Sequence, residues 1–320
     1  MSEHDWRDLG QQLVAAAVQA PSSHNTQPWL FRLGPGMVDL IADRTRALPA
    51  NDPEDRELTI SCGCGLLNLR LAAAALGLAA DVTLLPDGDD GDRLARLSWW
   101  PGEPSSVEAS LAAGIPERRT YRQPFDQAVP DEAAIARLIT AAEAEGVTLR
   151  TLADAEARAT AARLVSEGDA AQWADRSWRR ELAAWMHPRR RGDGLSVPSL
   201  ALPVAQLVVR TFDMGGGVGA KDQALAEGSP LLAVLASEGD DARAWLMAGM
   251  GLQRLLLTGV QLGLQASYLN QPVQVAALRP RLQHLAGGGF PQLLLRIGRP
   301  LATPPRSPRR PLADVVEWAE

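Results

Sequence analysis

Apolar residues recur at helical spacing along several parts of this 320-residue chain. In the first stretch, Leu9, Leu13 and Ala17 fall on one face of a helix that Pro21 would end. Two later stretches are apolar almost all round, which is typical of helices buried at the centre of a protein. The pattern predicts helices over residues 3–20, 53–77, 131–145, 153–186, 241–263 and 273–285.

Shorter apolar or alternating runs between these helices predict β-strands. The runs "PWLFRL" and "MVDLIA" flank "GPG", a turn signal, and therefore predict a β-hairpin. Further strands are predicted in "ADVTLL", "RLARLSWW", "VTLRTL", "PLLAVLAS", "QASYLN" and "PQLLLRIG". The pattern resets near residues 102–116, so the elements fall into two αβ halves without close sequence repetition.

Composition narrows the classes of function. The formal net charge is −6 and Lys221 is the single lysine, which disfavours a general nucleic-acid binder. The N-terminus carries acidic residues and no apolar signal-peptide region, so a cytoplasmic location is expected. Polar residues interrupt the long apolar segments at 66–80 and 244–264, which favours buried helices over membrane spans.

A metal site is disfavoured by the spacing of the possible ligands. Cys62 and Cys64 would point about 200° apart on a helix, which favours small buried residues over a disulfide or a shared metal. The four histidines are scattered. The turn "PDGDDGD" could suggest calcium, but it lacks the spaced ligands and terminal glutamate of an EF-hand.

The stretch "APSSHNTQPW", residues 20–29, places hydroxyls, an imidazole and carboxamides between a helix end and a strand. Such a loop can hydrogen-bond the edge of a planar heterocycle, and the alternative is a simple Asx or Ser turn. Ser23 beside His24 could suggest nucleophilic catalysis. Adjacent residues rarely bring hydroxyl and imidazole into register and no G-x-S-x-G motif is present, which disfavours a hydrolase.

Two arginine-rich stretches could bind phosphate. "PERRTYRQPF", residues 116–125, supplies Arg118, Arg119, Thr120 and Arg122, and guanidinium groups match phosphate oxygens bidentately. A solvated charge cluster is the alternative. "PPRSPRRPLADVV" adds further arginines near the C-terminus, and alone it would be a tail. "GMGLQRL" lacks the third glycine of a dinucleotide-binding loop.

The segment from 165 to 200 leaves two interpretations open. Trp178 and Trp185 lie seven residues apart on one helix face, which favours either aromatic packing or a cover over a flat ligand. The following loop "HPRRRGDGLSVPS" carries three consecutive arginines. It is either a solvated surface segment or a phosphate or substrate contact.

These motifs resemble those of the nitroreductase family, FMN-dependent oxidoreductases with a three-layer αβα fold. "APSSHNTQPW" matches the family signature A-P-S-x-x-N-x-Q-P-W, and "RRTYRQPF" resembles its Arg-Arg-Ser-x-Arg-x-Phe element. "GMGLQRLLLTGVQLGLQASYLNQP" resembles a later helix and strand, and "PQLLLRIGRP" and "PRRPLADVV" resemble the closing strand and arginine tail. The implied fold class is α+β, a nitroreductase-like three-layer αβα sandwich.

The resemblance implies FMN as the cofactor and assigns residues to it, with no catalytic side chain, because the flavin carries the chemistry. The flavin ring and ribityl chain would be lined by Pro21, Ser22, Ser23, Asn25 and Gln27. The phosphate and its surroundings would be held by Arg118, Arg119, Thr120 and Arg122, with Arg309 and Arg310 closing over it. The region of flavin N5 would face Leu269, Asn270 and Gln271. Asn270 departs from the family, which usually has an acidic residue followed by glycine there.

The order of the motifs departs from ordinary family members, in which the arginine element comes first. Here the polar loop comes first, residues 1–12 contain only Arg7, and the second half reads "AAEAEGV" where a polar loop is expected. The complementary losses imply two pseudo-repeated halves that imitate a nitroreductase dimer, residues 1–110 and 111–320. This resembles the fused branch typified by the dormancy-associated Acg proteins, in which a lid, here residues 165–200, can cover the flavin.

Two functions follow from the resemblance. The first is an oxidoreductase that passes electrons from NAD(P)H through FMN to a small acceptor such as a nitro compound or quinone. The second is a protein that sequesters or stores FMN beneath the lid. A flavin-free interaction domain would leave the separate motifs coincidental. We expect small-molecule partners, no nucleic acid, no membrane, and a monomer with one FMN site per chain.

Overall fold

The computed structural model describes residues 3–88, 91–186, 192–195 and 202–319. These residues form helices and two separate sheets, which confirms the α+β class. Asp89 and Asp90 of the candidate calcium turn lie outside the described residues. The helices are α1 Glu3–Ala17, α2 Arg56–Ala75, α3 Ser106–Ala112, α4 Glu132–Glu143, α5 Ala155–Ala174, α6 Arg176–Ala184, α7 Leu202–Thr211, α8 Gly215–Glu227, α9 Ala242–Gln261, α10 Gln271–Gln274 and α11 Arg279–Leu285.

The strands form a five-stranded and a four-stranded sheet within the described residues. They are β1 Trp29–Gly34, β2 Met37–Ala42, β3 Leu78–Leu84, β4 Arg93–Pro101, β5 Thr148–Thr151, β6 Leu231–Ser237, β7 Gln265–Tyr268, β8 Phe290–Gly298 and β9 Val316–Trp318. The first sheet has the order β3-β4-β2-β1-β9 and the second β5-β6-β8-β7. The predicted β1–β2 hairpin is present, and β9 brings the chain end back beside β1 in parallel.

Helices α2 and α9 cross between the two sheets at unusually short distance. A Cβ on Gly63 would lie 2.3 Å from the carbonyl oxygen of Leu246, and one on Gly249 would lie 2.1 Å from that of Ile60. The backbones of the two helices are therefore in direct contact, which only glycine permits here. The Sγ of Cys64 lies 3.1 Å from the carbonyl oxygen of Gly249, so this cysteine is a small buried residue as predicted.

Buried polar side chains fix the register of this crossing. Gln253 Nε2 donates to Asn68 Oδ1 at 2.8 Å. Arg254 Nε donates to Glu145 at 2.6 Å, and Arg70 pairs with the same carboxylate. Asn68 and Gln253 interrupt the apolar segments in the sequence and pair with each other in the structure. Arg70 and Arg254, which also interrupt them, share Glu145. Among the described helices α2 alone is long and apolar enough to cross a membrane, and 89% of that window is buried inside the protein.

The two sheets differ in how their faces are covered. Alternate residues of β6 enter two apolar clusters: Leu231 and Leu235 pack in the cluster that includes α9, and Leu232 and Val234 pack in the cluster that includes α5. The second sheet is therefore sandwiched between helical layers. The first sheet presents a charged face instead, on which Asp39 accepts from Arg96 Nε at 2.6 Å.

Several elements differ from the prediction for identifiable reasons. The predicted helix 153–186 breaks at Asp175, whose extended backbone and side chain cap α6 by accepting from Ser177 N–H at 2.7 Å. The predicted helix 273–285 is interrupted by the extended backbone of Val275. Helices α3, α7 and α8 and strand β9 were not predicted. In α8 the glycines suppress the sequence signal, yet Gly219 allows close packing on α5.

The close crossing predicts that Gly249→Ala destabilises the protein strongly. The new Cβ would overlap the Ile60 carbonyl oxygen, so the helices must separate, at a cost of about 2 kcal/mol or more. Gly217→Ala in α8 is the matched control, because nothing lies within 4 Å of its Cβ position. Alanine should leave stability equal or higher there, by up to about 1 kcal/mol. Urea unfolding measures both variants, and equal midpoints would contradict the prediction.

Candidate functional site

The polar loop and the arginine stretch meet at one cavity of about 490 Å³. Its base is the crossing of α2 and α9, where Ile60, Cys64 and Leu252 line it. Residues of α5 and α6 and the chain near residue 309 complete the wall. The predicted site residues on this lining are Pro21, Ser22, Ser23, Asn25, Arg118, Arg119, Thr120, Arg122, Leu269, Asn270, Gln271 and Arg309.

The loop between α1 and β1 holds a strained backbone. His24, Asn25 and Gln27 have φ angles of 50°, 56° and 52°, a region that side chains with a Cβ adopt rarely. Such backbones persist only where the surroundings fix them, and they are common at binding sites. Here Ser22 Oγ accepts from the N–H of Gln27 at 3.0 Å, and the carbonyl of Asn25 accepts from the N–H of Gly194 at 3.1 Å.

The hydroxyl of Ser23 is directed to a carboxylate. Ser23 Oγ donates to Glu57 Oε2 at 2.6 Å. Burial lowers the pKa of the neighbouring His24 despite the opposing negative charge of Glu57. A Ser–His nucleophilic pair therefore has no support from the hydrogen bonding of Ser23, and the hydrolase hypothesis gains nothing from the geometry.

Three arginines on the cavity lining carry buried N–H groups that find no partner among the described residues. Arg118 is 5% exposed, its Nη2 donates to Gln19 O at 3.2 Å, and its Nε and Nη1 have no partner. The Nε atoms of Arg119 and Arg309 also have none. Burial, followed by the charges of Arg118 and Arg119, lowers the pKa of Arg309 to about 9. Buried unpaired cations are costly, so this cluster is suited to an anion.

The arginine stretch is fixed to the edge of the second sheet. Thr120 forms a parallel bridge with Ala266, and Tyr121 N–H donates to the same residue at 2.9 Å. Just beyond β7, Asn270 Oδ1 accepts from Leu294 N–H at 3.1 Å. The two predicted groups, 118–122 and 269–271, are therefore neighbours because both are held by strand β7 and its continuation.

A pair of carboxylates also lines the cavity. Gln271 Nε2 donates to Asp222 Oδ2 at 2.9 Å and to Asp169 Oδ1 at 3.2 Å, so one amide serves both acids. Burial, followed by the charge of Asp222, raises the pKa of Asp169 to about 7. Burial also raises the pKa of Asp222. The pair therefore favours holding a proton near neutral pH.

Part of the segment 165–200, called the cover below, lines the cavity. Trp173, Trp178, Leu182 and Leu195 line it, and the two tryptophans pack edge to face with ring centroids 5.5 Å apart. The contact shows aromatic packing for Trp178, and a cover over a flat ligand stays a prediction. Trp185 is not on the lining and stacks against the Arg46 guanidinium at 5.4 Å. Residues 187–191, with the three-arginine run, and 196–200 lie outside the described residues.

The cover is attached to the loops beneath it. Glu181 of α6 accepts the backbone N–H groups of Ala50 and Asn51, each at 2.9 Å. Gly192 lies so close to the C-terminal segment that a Cβ there would be 1.8 Å from the Arg309 carbonyl oxygen. Its own carbonyl accepts from Gln27 Nε2 at 2.7 Å. Covering segment, polar loop and arginine tail thus form one set of contacts.

Comparison with known proteins identifies the family. The chain is 34% identical over 317 residues to putative NAD(P)H nitroreductase Rv3131 of Mycobacterium tuberculosis, covering 96% of this chain and 91% of that protein. It belongs to the nitroreductase family. It is also 29% identical over 318 residues to putative NAD(P)H nitroreductase acg of the same organism, covering 96% and 95% of the two chains, which supports the predicted Acg-like branch. No family model matches the chain.

Solved structures of the family are more distant. The FMN-dependent nitroreductase NfnB of Mycobacterium smegmatis in complex with NADPH has a TM-score of 0.45 and 17% identity, covering 66% of this chain and 99% of that one. Oxidized iodotyrosine deiodinase bound to FMN and 3-iodo-L-tyrosine has a TM-score of 0.43 and 13% identity, covering 63% and 95%.

Two predicted site residues lie behind the cavity wall. Gln27 is 0% exposed, and its Oε1 accepts the backbone N–H of Arg310 at 2.8 Å. The Arg310 guanidinium in turn donates to Gln27 O at 3.0 Å and to Asp43 Oδ2 at 3.2 Å. The structure therefore gives this pair the role of joining the polar loop to the arginine tail, and direct contact with a ligand stays a prediction for them.

Sequence reasoning missed other residues of the lining. Glu57, Asp169 and Asp222 lie on three different helices, and no motif or spacing relates them. Glu57 lies in the first turn of α2, where acidic residues are common because they complement the helix dipole, so its position gives no sign of a site. Only the packing of α5 and α8 brings the two aspartates together.

The carboxylate pair predicts a specific pH dependence of stability. Because the folded-state pKa of Asp169 is raised to about 7, the folded protein holds a proton that the unfolded chain releases above about pH 4. Stability should therefore fall as pH rises from about 4 to about 7. In Asp222→Asn the like charge is gone, so the difference in unfolding free energy between pH 5 and pH 8 should shrink. Asp81→Asn, at an exposed site, is the control; an unchanged difference in Asp222→Asn would contradict the assignment.

Proposed function

We propose that this nitroreductase-family protein is an FMN-dependent NAD(P)H oxidoreductase that reduces a small acceptor such as a nitro compound or quinone. The observation that carries the proposal is the set of buried, unpartnered arginine N–H groups at the cavity. The relatives named NAD(P)H nitroreductases, and solved family structures described as binding FMN and NADPH, agree with it.

The residues present fit the phosphate end of FMN. Arg118, Arg119 and Arg309 offer N–H groups that no acceptor in the described part of the chain uses. A phosphate dianion would satisfy them with charge-assisted hydrogen bonds. Arg122 and Thr120 lie on the same lining and extend the donor set. An anion would also offset the burial and the repulsion from Arg118 and Arg119 that together lower the pKa of Arg309.

The rest of the lining fits the ring and ribityl chain. The loop residues Pro21, Ser22, Ser23 and Asn25 provide polar groups for a heterocycle edge. We assign the segment 269–271 to the region of the reactive ring nitrogen, as the family resemblance implies. When bound, FMN would supply hydride transfer from the nicotinamide and electron transfer to the acceptor, so the protein's task is to bind, orient and shield the cofactor.

We also propose that residues 1–110 and 111–320 correspond to the two halves of an ancestral dimer. Both central helices carry the same G-x-G-L pattern, Gly63-Cys64-Gly65-Leu66 in α2 and Gly249-Met250-Gly251-Leu252 in α9. The first glycines of the two patterns meet at the crossing. This pairing supports a pseudo-twofold relation that leaves one site per chain, and a monomer in the cytoplasm remains our expectation.

The alternative is an FMN-sequestering protein. It is favoured by the attachment of the cover, because Glu181 and Gly192 tie it to the loops on either side of the cavity. A nicotinamide must reach the flavin face to transfer hydride, so a cover that stays closed would permit binding and block turnover.

Cofactor binding is tested first. Arg118→Ala should weaken FMN binding about 10- to 100-fold, since hydrogen bonds to a charged group contribute about 1.5–3 kcal/mol. Arg118→Lys should restore part of it, because the charge returns without the bidentate fork. Arg281→Ala, an exposed arginine paired with Glu167, is the control and should bind as the parent does. Flavin absorbance after titration and desalting measures the affinity for FMN. A parent protein that does not bind FMN would refute both the oxidoreductase and the FMN-sequestering function.

Turnover separates the enzyme from the storage protein. Under anaerobic conditions NADH or NADPH should bleach the bound flavin, and a nitroaromatic or quinone should restore its colour. Stopped-flow absorbance of the loaded protein follows both steps. Retention of FMN without bleaching by either nucleotide would support sequestration in place of the oxidoreductase.

A further inference from the structure

We propose that Glu57 is a positioning residue that couples the covering helices α5 and α6 to the polar loop, so that closing the cover and ordering the loop are one event. The inference rests on the proposed function, because the cofactor is the ligand that both parts would surround. Glu57 belongs neither to the residues proposed to bind the phosphate nor to those proposed to bind the flavin ring, and the inference gives it a role.

Glu57 is a buried acceptor surrounded by donors from separate parts of the chain. It is 3% exposed in the first turn of α2 and lies on the cavity lining. Its carboxylate accepts from Ser23 Oγ at 2.6 Å, from Gln274 Nε2 at 2.8 Å and from Asn51 Nδ2 at 3.3 Å. Arg56 approaches only to 3.4 Å, so neutral donors make the shorter contacts.

Two of these donors also hold the covering helices. Asn51 Oδ1 accepts from Trp178 Nε1 of α6 at 2.9 Å. Gln274 Oε1 accepts from Gln172 Nε2 of α5 at 2.7 Å. Each amide therefore donates to Glu57 with its nitrogen and accepts from the cover with its oxygen.

The chemistry of a carboxylate makes these orientations obligatory. Glu57 accepts in each of these hydrogen bonds, so both amides turn their NH₂ groups toward it and present their oxygens to the cover. The partners on the cover, an indole N–H and an amide NH₂, are donors that match this arrangement. A glutamine at position 57 could donate as well as accept, and the orientation of both amides would no longer be imposed.

The same logic fixes the polar loop. Ser23 has a single hydroxyl proton and gives it to Glu57, so its remaining lone pairs act as acceptors toward the cavity. Loss of the carboxylate would release this hydroxyl at the same time as the two amides. Movement of the cover and of Ser23 are thereby linked through one side chain.

Glu181 provides an internal comparison. It attaches α6 to the backbone of Ala50 and Asn51 without contacting Glu57. The cover has further contacts that bypass Glu57, among them the hydrogen bond from Gln271 Nε2 to Asp169 of α5 at 3.2 Å. The contacts through Asn51 and Gln274 reach Glu57, and through its carboxylate they are connected to the hydroxyl of Ser23.

A double-mutant cycle tests the coupling. Ser23→Ala and Trp178→Phe each remove one hydrogen bond to the network, and each should accelerate FMN release from the loaded protein. Once one hydrogen bond is broken, loss of the second should accelerate FMN release less than it does in the parent. The release rate of the double variant should therefore be at least about threefold lower than the rate obtained by multiplying the accelerations of the two single variants. In a Glu57→Gln background the two effects should multiply. Coupling that persists in Glu57→Gln, or its absence from the parent, overturns the inference.

Matched controls separate coupling from general destabilisation. Trp245→Phe removes an indole hydrogen bond of similar length, 2.8 Å to Asp240 Oδ1, and should combine with Ser23→Ala multiplicatively. The fluorescence emission of Trp178 is obtained as the parent spectrum minus the spectrum of Trp178→Phe. Its emission maximum should shift when Ser23→Ala is made in the parent and stay constant when Ser23→Ala is made in Glu57→Gln. An equal shift in both backgrounds would assign the effect to the cavity alone.

Two further measurements distinguish failure of the Glu57 inference from failure of the proposed function. If Glu57→Gln does not fold, a cycle between Ser23→Ala and Gln172→Leu tests the path through Gln274, and additivity in both cycles overturns the inference. The same cycles read by urea unfolding require no FMN. A parent that binds no FMN therefore refutes the proposed function, whereas additive unfolding free energies refute the role of Glu57.

Discussion

The contact between Gly63 and Gly249 sets the geometry on which the cavity depends. Because no Cβ separates α2 from α9, their backbones touch and the apolar helices occupy one thin layer between the sheets. Cys64 and Leu252, one and three residues from the contact, become the base of the cavity. Any widening of the crossing would move this base and the first turn of α2, where Glu57 lies.

Charge is distributed unevenly around that base. Arg118, Arg119 and Arg309 have no carboxylate partner within the residues that the structure describes. Asp169 and Asp222, in contrast, share the amide of a single glutamine. Both arrangements cost free energy in the folded protein because charged groups are buried with incomplete compensation. A bound anion recovers part of that cost at the arginine end. Ligand binding and stability are therefore linked more strongly here than in a cavity lined by neutral groups.

The sequence carried the parts of the site that are local. The polar loop is continuous from Pro21 to Asn25, and the phosphate candidates at 118–122 follow one another, so motif reasoning found them. Residues whose role arises from packing gave no such signal. Gln27 belongs to the motif yet turns away from the cavity, because its amide joins Gly192 to Arg310. Asp169 and Asp222 meet only through α8, whose glycines concealed the helix itself.

For the fold, too, the sequence predicted the elements with a local pattern and missed those that depend on tertiary contacts. Strong periodicity identified the long helices and the β1–β2 hairpin, since burial on one or all faces leaves a mark in the sequence. The break at Asp175 depends on a side chain capping its own backbone, which competes with helix continuation. Strand β9 is three residues long and exists because β1 offers it a free edge. Elements that depend on such tertiary contacts cannot be predicted from a local sequence pattern.

The attachment of the cover has a consequence for the choice between turnover and storage. The cover is bonded through Asn51 to Glu57, which lines the cavity, and through Gly192 to Gln27 of the polar loop behind the cavity wall. Opening enough to admit a nicotinamide therefore loosens the residues that would hold FMN. Fast access of the nicotinamide and tight retention of FMN are therefore opposed, because access requires the same hydrogen bonds to break that retention requires to stay intact. An efficient enzyme of this architecture must weaken the path through Glu57 while the arginine cluster, which lies outside that path, retains the cofactor.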